Sequence, residues 1–80
     1  MHIEIVSPDK KIFSGEIHLV QLPGTIGSFE IMKDHAPIIS TLEKGKIKII
    51  SPEGDIHIFE IEGGVVEASK NVITVLTDSI

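Results

Sequence analysis

Cysteine is absent from the 80 residues, which removes disulfide staples and thiolate metal sites and fits a reduced, intracellular setting. Tryptophan and tyrosine are absent too, and aromatic residues make up only 4%. That scarcity argues against an aromatic-lined ligand pocket and leaves the core to aliphatics. The seven basic residues are scattered from Lys10 to Lys70 in a chain of net charge -5, so no cationic stripe is available to a nucleic-acid backbone. No apolar run approaches the ~20 residues that span a bilayer, because charges interrupt each one, as Lys48 does between Ile47 and Ile49. Membrane contact is therefore expected to be indirect. The start, MHIEIVSP, has neither the basic nor the long apolar region of a secretory signal and reads directly as structure.

What is present is β-branched. Isoleucine and valine far outnumber the helix formers alanine and leucine, which stand only at Ala36, Ala68, Leu19, Leu22, Leu42 and Leu76. Side chains stiff at χ1 suit a pleated sheet. Short apolar runs between proline and glycine turns predict about eight strands of an all-β sandwich or small barrel. They fall over residues 2–6, 11–13, 16–22, 27–32, 46–50, 55–61, 64–69 and 72–77. Pro8, Pro52 and Gly54 mark turns, and Gly63-Gly64 a sharp corner. A short helical turn is expected near residues 37–42, where Pro37 suits a first helical position and Gly45 a stop.

Ile3 and Ile5 flank Glu4, and Ile47 and Ile49 flank Lys48, so these strands have one wet side. Residues 16–22 and 72–77 are apolar on both sides, which calls for a second cover, either a loop of the same chain or a partner protein. A change of phase between Ile58 and Phe59 suggests a bulge or a bend between sheets.

Catalytic signatures are missing. His2, His18, His35 and His57 lie in separate segments with no HxH or HExxH spacing, and read as strand or loop residues rather than metal ligands. Ser7, Ser14, Ser28, Ser40 and Ser51 stand in turn-like surroundings, none in a nucleophile elbow. PGTIG lacks the Lys-Ser/Thr of a phosphate loop and precedes a strand, not a helix N-terminus. Glu60 and Glu62 share a face and read as a solvated rim. The expectation is no enzyme, no metal and no cofactor.

The ordered string IEIVSPDKKIFSGEI, VQLPGTIGSFEI, DHAPIISTLEKGKIKI, then the Gly63-Gly64 pair with VVE and NVITVLTD, resembles the N-terminal domain of the epsilon subunit of F-type ATP synthases. The resemblance covers residues 1–80 as a single domain. It implies a flattened antiparallel sandwich of two sheets in the central stalk, docked on the gamma subunit and the polar loops of the c ring. Its task would be to couple proton or sodium-ion translocation to ATP synthesis without chemistry of its own. It also implies a peripheral position on the cytoplasmic face of the bacterial inner membrane. Carried over residue by residue, the partner-binding positions are Ser28, Phe29, Glu30, His35, Ala36, Pro37, Ile38 and, at the margin, Ser40.

Three departures stand out. The family usually has an acidic residue where this chain has Ser28, a glycine where it has Glu30, and Pro-Gly where it has Lys33-Asp34. Glu30, two positions along the same strand face, would take over the acidic role. The chain stops three residues after Thr77, where longer members continue into a two-helix domain. Without that domain, neither an inhibitory arm nor ATP binding is expected. The readings of a different class are a free-standing ligand-binding β-barrel and a metal-dependent, cupin-like enzyme.

Overall fold

The computed structural model describes residues 1–78. Their regular elements are nine strands: β1 (His2–Val6), β2 (Lys11–Glu16), β3 (Leu19–Gly24), β4 (Gly27–Met32), β5 (Ile38–Leu42), β6 (Gly45–Ile50), β7 (Ile56–Ile61), β8 (Gly64–Ser69) and β9 (Val72–Thr77). No helix occurs among the described residues. Strands β2-β1-β9-β8-β5 form one layer and β4-β3-β6-β7 the other. The pairing is antiparallel, as expected of the sandwich, except that β1 lies parallel to β9.

Alternation decides what lies between the layers. From the first layer Ile3, Ile5, Val66, Ala68, Ile73 and Val75 point inward, and from the second Val20, Leu22, Ile31, Ile47, Ile49 and Ile61; all are buried. Each such isoleucine or valine, moved from water into a dry interior, contributes roughly 1.5–3 kcal/mol before chain entropy is counted. The layers are joined at one corner by a single β3–β5 pair, Gly24 opposite Leu42. Flanking backbone bonds reinforce it, from Thr25 N–H to the Thr41 carbonyl (3.2 Å) and from Glu43 N–H to the Pro23 carbonyl (2.8 Å). A Cβ on Gly24 would meet the Gly27 carbonyl at 2.7 Å and the Phe29 ring at 2.8 Å, so only glycine fits here. On the other side, where β2 and β7 end the ladder, aromatic rings close the seam. Phe13 meets Phe59 at 5.5 Å and His57 at 5.6 Å between centroids, both tilted.

Three expectations are corrected. The helical turn at residues 37–42 is the strand β5, which pairs along its whole length with β8, from Ile38 opposite Ala68 to Leu42 opposite Gly64. Ile38, Ile39 and Thr41 are β-branched, and pairing here satisfies a row of β8 backbone groups that a helix would leave open. The run 16–22 is not one strand. It breaks at Ile17-His18, where Ile17 N–H bonds the Met1 carbonyl (2.8 Å) and His18 N–H bonds the Ile50 carbonyl (2.8 Å), handing the chain from one layer to the other. No register shift interrupts β7 against β6, from Gly45 opposite Ile61 to Ile50 opposite Ile56. The phase change reflects Ile56 and Ile58 facing outward, 57% and 56% exposed, with Phe59 and Ile61 facing in.

Ile5 is wholly buried, so Ile5→Ala should cost roughly 2–5 kcal/mol through lost burial and a residual cavity. An 80-residue domain holds only about 4–12 kcal/mol in total, at about 0.05–0.15 kcal/mol per residue. Urea unfolding should show the midpoint of the variant collapsing toward zero denaturant. An unchanged midpoint would contradict the assigned interior.

Candidate docking surface

The outward positions of the strands carry aliphatic rows on both layers. On the first, Val6, Leu76 and Val65 stand side by side across β1, β9 and β8. Ile39 of β5 lies diagonally beyond Val65, with Leu76 56% and Ile39 74% exposed. On the second, the register aligns Met32, Leu19, Ile50 and Ile56 across β4, β3, β6 and β7, with Ile58 one row along. The doubly apolar pattern of residues 72–77 is thus explained: Ile73 and Val75 fill the core while Val72 and Leu76 face out. Scattered exposed aliphatics are ordinary, but rows aligned in register present a contiguous face.

Strand β4 is bonded only to β3, so it is an edge. It places Ser28 and Glu30 outward on the same face as the second row, with the Gln21 amide donating to Ser28 Oγ (3.2 Å). Phe29 points the other way and packs on the core. After β4, His35, Ala36 and Pro37 are exposed in the connection to β5. There His35 N–H donates to the Met32 carbonyl (3.2 Å) and His35 Nδ1 to the Ala36 carbonyl (2.6 Å). Ile38 packs against the core. Ser40, half-buried, donates to the Thr41 carbonyl at 3.2 Å. Of the eight carried-over positions, Ser28, Glu30, His35, Ala36 and Pro37 therefore present side chains to solvent. Phe29, Ile38 and Ser40 shape the surface from beneath.

Two constellations escaped the sequence reading because their members are far apart in the chain. Asp34 N–H donates to Asn71 Oδ1 (2.8 Å), and Asn71 Nδ2 donates back to Asp34 Oδ1 (3.1 Å). Both residues have positive φ, 64° and 62°, a region that Asp and Asn tolerate better than most. The second constellation lies on the first layer, beside Val72. His2 Nδ1 meets Glu16 at 3.1 Å and Nε2 meets Glu4 at 3.3 Å. Lys11 (3.4 Å) and Ser14 (3.2 Å) also reach Glu4, and the N-terminal ammonium reaches Glu16 (3.5 Å). The hydrogen bond to Glu4, then that to Glu16, holds the His2 imidazole above its ordinary pKa of 6.5. The same bonds from His2 hold both carboxyls below 4.5, with Lys11 adding to the effect at Glu4.

Among the described residues no three metal-ligating side chains converge, and no serine has a histidine positioned as its base. His2 does come within 3.4 Å of Ser14 Oγ, but both of its nitrogens are already committed to carboxylates. What fold and surface define together is a β-sandwich domain with apolar rows on its outside. The chain belongs to the ATP synthase delta/epsilon chain β-sandwich domain family, whose model matches residues 1–80. It is 38% identical to the ATP synthase epsilon chain of Nitrosococcus oceani, covering 99% of this chain and 56% of that one, so it spans about half the length of that relative. It is 41% identical to the epsilon chain of Chlorobium limicola, covering 98% of this chain and 89% of that one. The fold matches a chain in a cryo-EM structure of the Euglena gracilis mitochondrial ATP synthase with a TM-score of 0.88 at 17% identity, over 94% of this chain and 48% of that one. It also matches one in the central stalk and c-ring of the Tetrahymena thermophila mitochondrial enzyme, with a TM-score of 0.81 at 15% identity, over 98% and 63%.

The His2 bridge makes stability depend on pH with a definite sign. The contribution of His2 is fully present below pH 6.5 and is lost as pH rises through its higher folded pKa. The contribution of Glu4 and Glu16 is present above pH 4.5 and is lost as pH falls through their lower folded values. The bridge is therefore complete between about pH 4.5 and 6.5. NMR titration of the His2 ring should give a midpoint above 6.5, and urea unfolding of His2→Gln should lack the loss that the unaltered chain shows on the alkaline side. A His2 midpoint at or below 6.5 would contradict the bridge.

Proposed function

We propose that this chain is a non-catalytic central-stalk subunit of an F-type ATP synthase, seated on the gamma subunit and the polar loops of the c ring. There it couples ion translocation to ATP synthesis on the cytoplasmic face of the bacterial inner membrane. Membership of the delta/epsilon family and the ATP synthase assemblies that hold the two fold matches, one a central stalk with its c-ring, support this reading. The observation that carries it is the in-register outward row Val6, Leu76 and Val65 with Ile39 beside it, an aliphatic face laid across four strands. A protein partner covers such a face by burying it as the apolar centre of an interface, while exposed Ser28 and Glu30, beside the second row on the other layer, and His35 in the connection offer polar contacts away from it. The closely packed layers suit a part that must hold its shape under load, because close-packed interiors resist small displacements. No role in binding ATP is assigned to the chain.

The test is to capture gamma subunit and c ring with the tagged chain, comparing Leu76→Asp and Ile56→Asp, one on each outer face. Both side chains are more than half exposed, so the melting temperature of the isolated chain should hold within a few degrees. At least one variant should weaken capture by about tenfold or more, the loss of roughly 1.4 kcal/mol expected when a charge enters an apolar contact. Full capture by both would overturn the reading. An ATP titration of the isolated chain should show no saturable binding.

A further inference from the structure

We infer that Asp34 and Asn71 form a clasp that holds the segment 35–37 in the shape its partner recognises, making both of them positioning residues for docking; this rests on the stalk reading above. The segment runs from the edge strand β4 of one layer to β5 of the other, and its own bonds are few. They are the His35 N–H bond to Met32 (3.2 Å) and a local bond from the His35 ring to Ala36 (2.6 Å). Neither ties the segment to the first layer. The reciprocal pair with Asn71 does, at 2.8 and 3.1 Å, across a separation of 37 residues.

Asn71 is itself well anchored. It sits in the Lys70-Asn71 turn of the β8–β9 hairpin, whose two residues both have positive φ, and its carbonyl accepts from His2 N–H at 2.9 Å. The loop thereby borrows rigidity from three other strands: β1, β8 and β9. Asp34 has a positive φ of 64°, a conformation that glycine reaches at no steric cost. An aspartate here gives up that ease and gains a carboxylate that accepts from Asn71. A chain end or loop left free would lose conformational freedom when it binds, and a pre-ordered one loses less.

Asn71→Gly keeps the positive φ and removes both bonds. In the isolated chain, hydrogen exchange of the Asp34 amide should accelerate about tenfold, the upper end of what one net hydrogen bond supplies. Amides in the core of β6 should not change. Capture of gamma subunit and c ring should weaken by a similar factor. Asn71→Asp sets two carboxylates against each other and should also weaken capture. Adding Asp34→Asn to that variant restores a donor and an acceptor and should recover it, a rescue that a purely structural loss would not show. Unchanged Asp34 exchange in Asn71→Gly overturns the clasp. Faster exchange with undiminished capture, or no rescue by the double variant, overturns the positioning role. If the unaltered chain captures nothing, the stalk reading falls and this role with it, while the exchange measurement still judges the clasp by itself.

Discussion

The two-residue period of a strand is the constraint on which this molecule depends. Nine short strands hand every second side chain to one interior, and nearly all of those side chains are isoleucine, valine or leucine. With no cysteine and few aromatics, the burial of these aliphatics is the main source of cohesion; surface ion pairs such as Lys11–Glu4 and Lys44–Glu62 are worth little. The same period sends the intervening residues outward. Where those are also aliphatic, as at Val6, Leu76, Val65 and Ile39, the fold has no further layer to cover them. The apolar outer rows are thus a by-product of strand geometry that only a change of residue type would remove. Polar residues are placed at many outward positions, including Glu4, Glu67 and Lys48, which shows that the pattern is not uniform grease.

Strand number and placement are largely legible because isoleucine and valine repeat between turn residues: eight of the nine strands overlap a stretch that this pattern marks, although β2 runs on to Glu16 and β3 begins only at Leu19 and ends at Gly24. The ninth, β5, carries the local signals of a helical turn, since Pro37 and Gly45 are good helix punctuation. Local signals misled here because the partner that makes it a strand, β8, lies more than twenty residues away in sequence, and a hydrogen-bonded neighbour outweighs a capping preference. The break at Ile17-His18 was hidden for a related reason: hydrophobicity continues through it, and only the Met1 and Ile50 carbonyls reveal that the chain changes layers. The parallel β1–β9 pairing and the single-pair junction at Gly24 leave no local trace at all.

The surface was legible in a more uneven way. That Ser28 and Glu30 share a face follows from their spacing, and they do face outward together. Phe29 and Ile38 were grouped with them by resemblance, yet both face in, where they shape the loops from below. The Asp34–Asn71 pair and the His2 bridge could not be found by spacing, because each joins elements whose approach is set by the whole ladder. One signal is present in the sequence, since asparagine at the tip of a two-residue hairpin favours a left-handed turn, but it says nothing of what the side chain reaches.

A sandwich with no helix among its described residues concentrates its freedom in its connections. The interior cannot bend without opening voids, so any adjustment to a partner must occur where chain leaves one layer for the other. The described chain does so four times, at Ile17-His18, at residues 33–37, at Glu43-Lys44 and at Glu62-Gly63. At Ile17 the crossing is anchored by a buried side chain and a bond to Met1, at Glu43 by a bond to the Pro23 carbonyl, and at Gly63 by the bond its carbonyl accepts from Asp78. The crossing at residues 33–37 has no buried side chain to anchor it, and it carries His35, Ala36 and Pro37 exposed. What fixes it is polar and exposed, and therefore tunable: a pair of hydrogen bonds in water holds a loop by a few-fold margin where the core holds a strand by orders of magnitude. The element best placed to meet a neighbour is thus also the one whose order the sequence can adjust without touching the interior.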